Sequence, residues 1–348
     1  MPKRVEQLAG ERSDVEVVPF SENVPDHVAE LKNEARPENP EEIEREIERL
    51  KQSIIEAGEE KLPVKDEILE PKVREQRIKE YQDRYLPSHL RKKGMGVISK
   101  ILTYMSTKGE RFDKEGEENI PEKGPFIVIS NHWGGASGVD ESMTLLRTFK
   151  EHDLHLTAGK EIWWNRSPIL KWLFKQMGTI PVEESLSNLT DAEKEEALLR
   201  QGEEAQPIYR KIIDREKEGK LPTNAEFVRQ AVALLSRGDA LGIYPEGLWL
   251  DPQGSRRLRE KSELKKGYAG IELVARQYEK LTGEELPILP TANIEDLETG
   301  KRKVIIGKPL LLSKNESGQS DTDWCMAHIA EMLPVEQRGY YKEIDLEK

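Results

Sequence analysis

The chain reads as an α/β protein, a mixed sheet flanked by helices behind a helical, partly disordered N-terminal extension. Three observations predict this. Short apolar runs rich in β-formers occur at 126–130, 154–158, 240–244, 287–293 and 303–306. Helix-length segments separate several of them, and such alternation builds a parallel or mixed sheet with helices on its faces. Composition also breaks early: residues 1–70 hold 20 acids and 10 bases, whereas 71–110 hold 10 bases and 4 acids.

Residues 1 to about 38 are rich in Glu and Pro without periodicity, the signature of a loosely attached tail. Asn39 then offers an N-cap, Pro40 a first turn and Gly58 a stop. Between them Ile43, Ile47, Leu50 and Ile54 form one apolar stripe, suited to docking on the main domain or to a short coiled coil. From Arg84 to Arg111, Tyr85, Leu86, Leu90, Met95, Ile98, Ile101 and Tyr104 alternate with Arg91, Lys92, Lys93, Lys100 and Lys108. Two readings stay open: a helix lying in a membrane interface, or one covering the core. The expected division is an acidic extension at 1–94 and an α/β domain at 95–348. Residues 185–225 are charged and helical in character, an inserted helical pair.

Charged residues make up 34% and hydrophobic ones 36% of the 348 residues, so part of the chain is expected to stand outside any core. A net charge of −12 argues against general nucleic-acid binding. A lone cysteine, Cys325, allows neither an internal disulfide nor a cysteine metal cluster and fits a reducing cytosol. The first residues lack the apolar run of a secretory signal, and no stretch approaches the roughly 20 apolar residues that span a bilayer. Membrane contact is therefore expected to be peripheral, at the inner face, in a cytoplasmic protein.

The chemistry-bearing positions follow strands. Phe126–Ser130 ends in Asn131-His132, and the run at 240–244 ends in Tyr244-Pro245-Glu246-Gly247. Residues past the carboxyl ends of strands meet at one rim, where ligands bind. An imidazole and a carboxylate meeting there would form a general acid–base centre. Lys160 and Glu161 follow the run at 154–158 and are candidates for the same rim. His152 and His155 flank that run without a third ligand at suitable spacing, so they read as structural and no metal is expected. Trp163, Trp164, Trp172 and Phe174, together with Arg166, Lys171 and Lys175, mark 162–175 as a lipid-facing segment or an aromatic face buried in the core.

Taken in order, these blocks resemble the glycerol-phosphate and lysophosphatidate acyltransferase family. The matching segments are Asn131-His132, Gly178-Thr179-Ile180-Pro181-Val182, Tyr244-Pro245-Glu246-Gly247 and Leu289-Pro290. Supporting matches are Lys265-Lys266-Gly267, Ile306-Gly307-Lys308-Pro309 and Arg338-Gly339-Tyr340-Tyr341. The resemblance spans about 95–341 and implies a glycerolphosphate-acyltransferase-like fold. It implies transfer of a fatty acyl group from acyl-CoA or acyl carrier protein to a hydroxyl of a lipid or polyol, in (phospho)lipid biosynthesis. The thioester would be a co-substrate, with no cofactor. His132 would be the base, Asp140 its orienting partner, and Glu246, Gly247, Lys160 and Arg256 would bind substrate.

The chain departs from the family pattern in three places. The family places an Asp five residues past the His, where Ser137 stands here; the next Asp is Asp140. Either Trp133-Gly134-Gly135-Ala136 accommodates three extra residues and Asp140 is the partner, or Ser137 replaces the Asp and the pair is broken. Ser137 and Asp140 also fit the start of a helix, as N-cap and N3. Pro181-Val182 is followed by Glu183 where the family has Arg, and Leu248-Trp249 follow Gly247 where it has Thr-Arg. Loss of those guanidinium groups weakens the case for a phosphorylated acceptor, although Arg256 and Arg257 stand nearby in sequence. A competing reading is a lipid-binding or adaptor protein that keeps the fold without catalysis. A hydrolase built on Ser137 lacks the Gly-x-Ser-x-Gly frame.

Overall fold

The computed structural model describes residues 71–90, 112–132, 144–146, 148–149, 152–160, 167–186, 191–200, 206–219, 224–247, 263–295 and 302–343. Among them, seven strands form one sheet in the order β1-β7-β6-β2-β5-β3-β4. They are β1 Phe112–Glu115, β2 Phe126–Ser130, β3 Leu154–Gly159, β4 Ile180–Val182, β5 Ala240–Ile243, β6 Ile288–Glu295 and β7 Arg302–Ile306. β6, β2, β5, β3 and β4 run parallel, β7 is antiparallel to β6, and β1 pairs with β7 in parallel. The sheet is therefore mixed, and five carboxyl ends share one rim. The five expected runs are five of these strands. β1 and β4 were not legible, because Phe-Asp-Lys-Glu and Ile-Pro-Val are short edge strands without a long apolar signal.

β2 shows why its sequence is apolar throughout. All five residues are fully buried. Ile127 and Ile129 join one core cluster, Phe126 and Val128 another, as the period of two requires for a strand covered on both faces. The first face is covered by α5 Ala225–Leu235, α6 Gly270–Thr282 and α7 Asp321–Met332. The second is covered by Leu145, Leu146 and Phe149, with Leu173 and Phe174 of α2 Pro168–Gln176 beside them. α3 Asp191–Arg200 and α4 Gln206–Lys217 are the expected inserted pair, closed by a small cluster of Leu186, Leu198, Tyr209, Ile212 and Ile213.

α1 Pro71–Tyr85 packs on α5 and α6, with Gln82 Nε2 donating to Ser236 Oγ at 3.1 Å. Leu86 and Leu90, just beyond it, enter the main core. The beginning of the 84–111 segment is thus a core cover; its remainder, the stripe at Ile43–Ile54 and the tail lie outside the described residues. Among the described residues no helix is long and apolar enough to cross a membrane.

Candidate active site

The rim is built first by main-chain mimicry. Asn131, the residue after β2, is buried, and its amide pairs with β6 as a peptide unit would. Oδ1 accepts Asn293 N–H at 2.8 Å and Nδ2 donates to Asn293 O at 3.0 Å. Asn293 Nδ2 in turn donates to Ser130 Oγ at 2.8 Å. The ladder is thereby extended one residue beyond β2, and both polar groups of the buried Asn131 amide are paired, while Asn293 Oδ1 is left without a partner.

His132 leaves the sheet at this point. Its backbone N–H donates to Glu246 Oε1 at 2.7 Å. The other carboxylate oxygen, Oε2, accepts Lys265 N–H at 2.9 Å. Glu246 is only 4% exposed, and burial pushes its carboxyl above the ordinary 4.5 although His132 and the two N–H groups pull the other way. The imidazole stacks on Tyr244 with ring centroids 4.4 Å apart and planes 16° apart. Stacking sets the ring plane, while the Glu246 bond sets the main chain that carries it.

Gly247 is required at its position. Its φ is +76°, its N–H closes a turn onto Tyr244 O at 3.1 Å, and a Cβ there would stand 2.5 Å from the Tyr268 ring. Tyr268 bridges the rim: its N–H donates to Pro245 O at 2.9 Å and its hydroxyl to Ser185 O, beyond β4, at 3.2 Å.

Lys160 lies at the end of β3, where it donates to Glu183 Oε1 at 2.7 Å. Glu183 follows β4, its backbone N–H donates to Asn224 Oδ1 at 2.8 Å, and Arg215 Nη1 stands 3.9 Å from its Oε2. At this corner two cations, Lys160 and Arg215, thus face the Glu183 carboxylate. The structure thus brings His132, Glu246 and Gly247 together and joins Lys160 to Glu183. Asp140, Ser137, Glu161, Leu248, Trp249, Arg256 and Arg257 lie outside the described residues. Asn293 and Tyr268 escaped sequence reading, because each acts through a partner more than 80 residues away. Among the described residues no group of three His, Cys, Asp or Glu side chains could hold a metal ion.

The opposite end of the sheet carries another buried polar cluster. His155 Nδ1–H donates to Gly178 O at 2.8 Å, and Nε2 stands 3.2 Å from Asp239 Oδ2. Arg237 donates through Nε to the same oxygen at 2.9 Å and through Nη1 to Leu90 O. A recess of about 350 Å³ among Lys114, Glu117, Ile120, Pro121, Glu122, Thr148 and His152 also lies toward this end, away from His132.

Of the described helices α2 has the most exposed apolar side chains: Ile169 is 76% and Trp172 51% exposed, with Lys171 and Lys175 alongside and no acidic residue in the helix. Its other face, through Leu173 and Phe174, packs on the core. Trp163, Trp164 and Arg166 lie outside the described residues.

Residues 111–293 match the Acyltransferase family. Among solved structures, the 1-acyl-sn-glycerophosphate (LPA) acyltransferase PlsC from Thermotoga maritima is similar at 14% identity and a TM-score of 0.39, over 77% of this chain and 83% of that one. No curated protein matches the chain.

Proposed function

The chain belongs to the acyltransferase family, and we propose that it moves a fatty acyl group from acyl-CoA or acyl carrier protein to a hydroxyl of a lipid or polyol in (phospho)lipid biosynthesis. The observation that carries this is His132 at the parallel rim, its main chain held by Glu246 and its ring stacked on Tyr244. In the proposed reaction His132 takes the acceptor's hydroxyl proton as the oxygen attacks the thioester carbonyl. The tetrahedral oxyanion collapses, the C–S bond breaks, and the departing thiolate receives that proton from the imidazolium. Asp140 is proposed to orient the imidazole and offset its charge, as in a Ser-His-Asp triad without an enzyme nucleophile. Gly247, Lys160 and Arg256 are proposed to line the substrate side. No cofactor is needed for these steps, and no nucleic-acid partner is proposed.

The ion pair between Lys160 and Glu183 supports a neutral or larger acceptor over a phosphorylated one, because the cation at that corner already faces a carboxylate. The exposed Ile169 and Trp172, with two lysines, support peripheral attachment to an anionic membrane face on the cytoplasmic side. The test is thiol release from acyl-CoA and from acyl carrier protein with phosphorylated and neutral acceptors, using wild type, His132→Ala and Asp140→Ala. Acceptor-dependent release that disappears in His132→Ala is the expected result. Folded protein that binds vesicles but releases no thiol with any pair would overturn it in favour of a lipid-binding adaptor.

A further inference from the structure

Two sequence blocks with no role in the chemistry, Lys265-Lys266-Gly267 and Arg338-Gly339-Tyr340-Tyr341, meet in the fold. Leu264 N–H donates to Gln337 O at 2.9 Å, and Tyr340 N–H donates back to Leu264 O at 2.9 Å. Gly267 N–H donates to the Tyr341 hydroxyl at 2.9 Å, and that hydroxyl donates to Asp323 Oδ1 of α7, also at 2.9 Å. Tyr341 is 1% exposed. Gly339 has φ +47°, and a Cβ on it would come within 2.3 Å of Leu264 O, so the two segments approach backbone to backbone. Within the same loop, Lys265 N–H donates to Glu246, which holds His132 N–H with its other oxygen.

We propose that Glu246 is a positioning residue for His132 rather than a substrate contact, and that the C-terminal segment Gln337–Tyr341 sets its position by fixing the 264–267 loop. This rests on His132 being the base, and it deepens that reading by assigning the turn at Gly339–Tyr341 to the reacting end of the sheet. Geometry supports it over direct substrate binding. Both carboxylate oxygens are already engaged by backbone donors, and the side chain is buried. A carboxylate fixed on both sides by main chain transmits displacement, since moving Lys265 moves the acceptor of His132 N–H. Glu246 and Lys265 lie 19 positions apart in the chain, so this bond joins segments that are not adjacent in sequence.

The test uses the full chain and two mild substitutions, Glu246→Gln and Tyr341→Phe, with Tyr340→Phe as a control whose ring is 56% exposed. Hydrogen exchange in peptides covering 130–133 and 264–267 reads the relay without any substrate. Exchange is expected to quicken at both segments in Glu246→Gln and Tyr341→Phe, and to stay at the wild-type rate in Tyr340→Phe. In the acyl-transfer assay, kcat is expected to fall about tenfold in Glu246→Gln and about threefold in Tyr341→Phe with KM for the thioester unchanged, the pattern of a misplaced base rather than a lost binding contact. Unchanged exchange at 130–133 in folded Glu246→Gln would overturn the proposal, as would a rise in KM with kcat intact. If wild type transfers no acyl group, the catalytic reading fails by itself, while the exchange rates still decide whether tail and His132 are linked.

Discussion

The two ends of β5 each carry a buried carboxylate, and they are held in opposite ways. Asp239, just before the strand, faces Arg237 and His155, and those contacts hold its carboxyl below the ordinary 3.8 despite burial. Glu246, three residues beyond the strand, faces two backbone N–H groups and the His132 region, and desolvation wins. Glycine serves each end. Gly178, at φ +70°, lets His155 Nδ1 come within 2.7 Å of where its Cβ would be, and Gly247 does the same for Tyr268 at 2.5 Å. The amino end is a closed ion cluster that fastens Leu90 and the turn before β4 to the sheet. At the carboxyl end the Glu246 carboxyl is held by two backbone N–H groups, beside the imidazole proposed as the base. Side-chain ion pairing at one end and backbone hydrogen bonding at the other thus hold the two carboxyl groups of one strand.

Substitutions that separate rate from stability test this division. The largest effect is expected from His132→Ala, a loss of about 10²–10⁴ in acyl-transfer rate with an unchanged melting temperature, since a general base contributes on that order. Next is Asp239→Asn, which leaves Arg237 without its buried counter-charge and should cost about 3–5 kcal/mol in urea unfolding. Its rate per folded molecule should hold. A large loss of activity without loss of stability would erase the distinction between the ends.

The pH dependence should also divide. The lowered Asp239 contributes stability that is present above the ordinary 3.8 and lost as pH falls through its folded value, so the deficit of Asp239→Asn should shrink in acid. The raised Glu246 contributes stability that is present below 4.5 and lost as pH rises through its folded value. Glu246→Gln should therefore gain stability relative to wild type as pH rises over that interval. Unfolding free energies measured from pH 3 upward for the three proteins (about one-unit steps suffice) would check both signs. Gly247→Ala should cost about 1–2 kcal/mol from the left-handed backbone alone, and more as Tyr268 is pushed aside. The smallest effect is expected from Trp172→Ala, about tenfold weaker sedimentation with anionic vesicles and no change in unfolding, because its exposed ring packs on little of the protein. Unchanged sedimentation would remove α2 from the membrane surface.

Much of the fold was legible because β2 to β7, apart from β4, carry their burial in their composition: Phe126–Ser130 is apolar on both faces and is buried on both. The inserted helical pair was legible from its charge and length. β1 escaped because a Phe-Asp-Lys-Glu edge strand has only a half-buried alternation, and β4 because three residues carry no period. Within the site, His132 and Glu246 could be named from the strand ends they follow. That Glu246 faces backbone rather than solvent could not, since a hydrogen bond from Lys265 leaves no mark on the identity of residue 265: any residue except proline has that N–H.

The sequence by itself determined five of the seven strands, which strand ends carry His132 and Glu246, and that the chain belongs among proteins with an Asn-His turn and a Pro-Glu-Gly turn, because burial and turn chemistry are written locally in side-chain type. Only the tertiary structure decided that Asn131 pairs with Asn293, that Lys160 is balanced by Glu183, and that Tyr341 stands behind the loop that holds Glu246. Those contacts join residues 23 to 162 positions apart. Their existence depends on strand order and on where main-chain donors point, which no local pattern encodes.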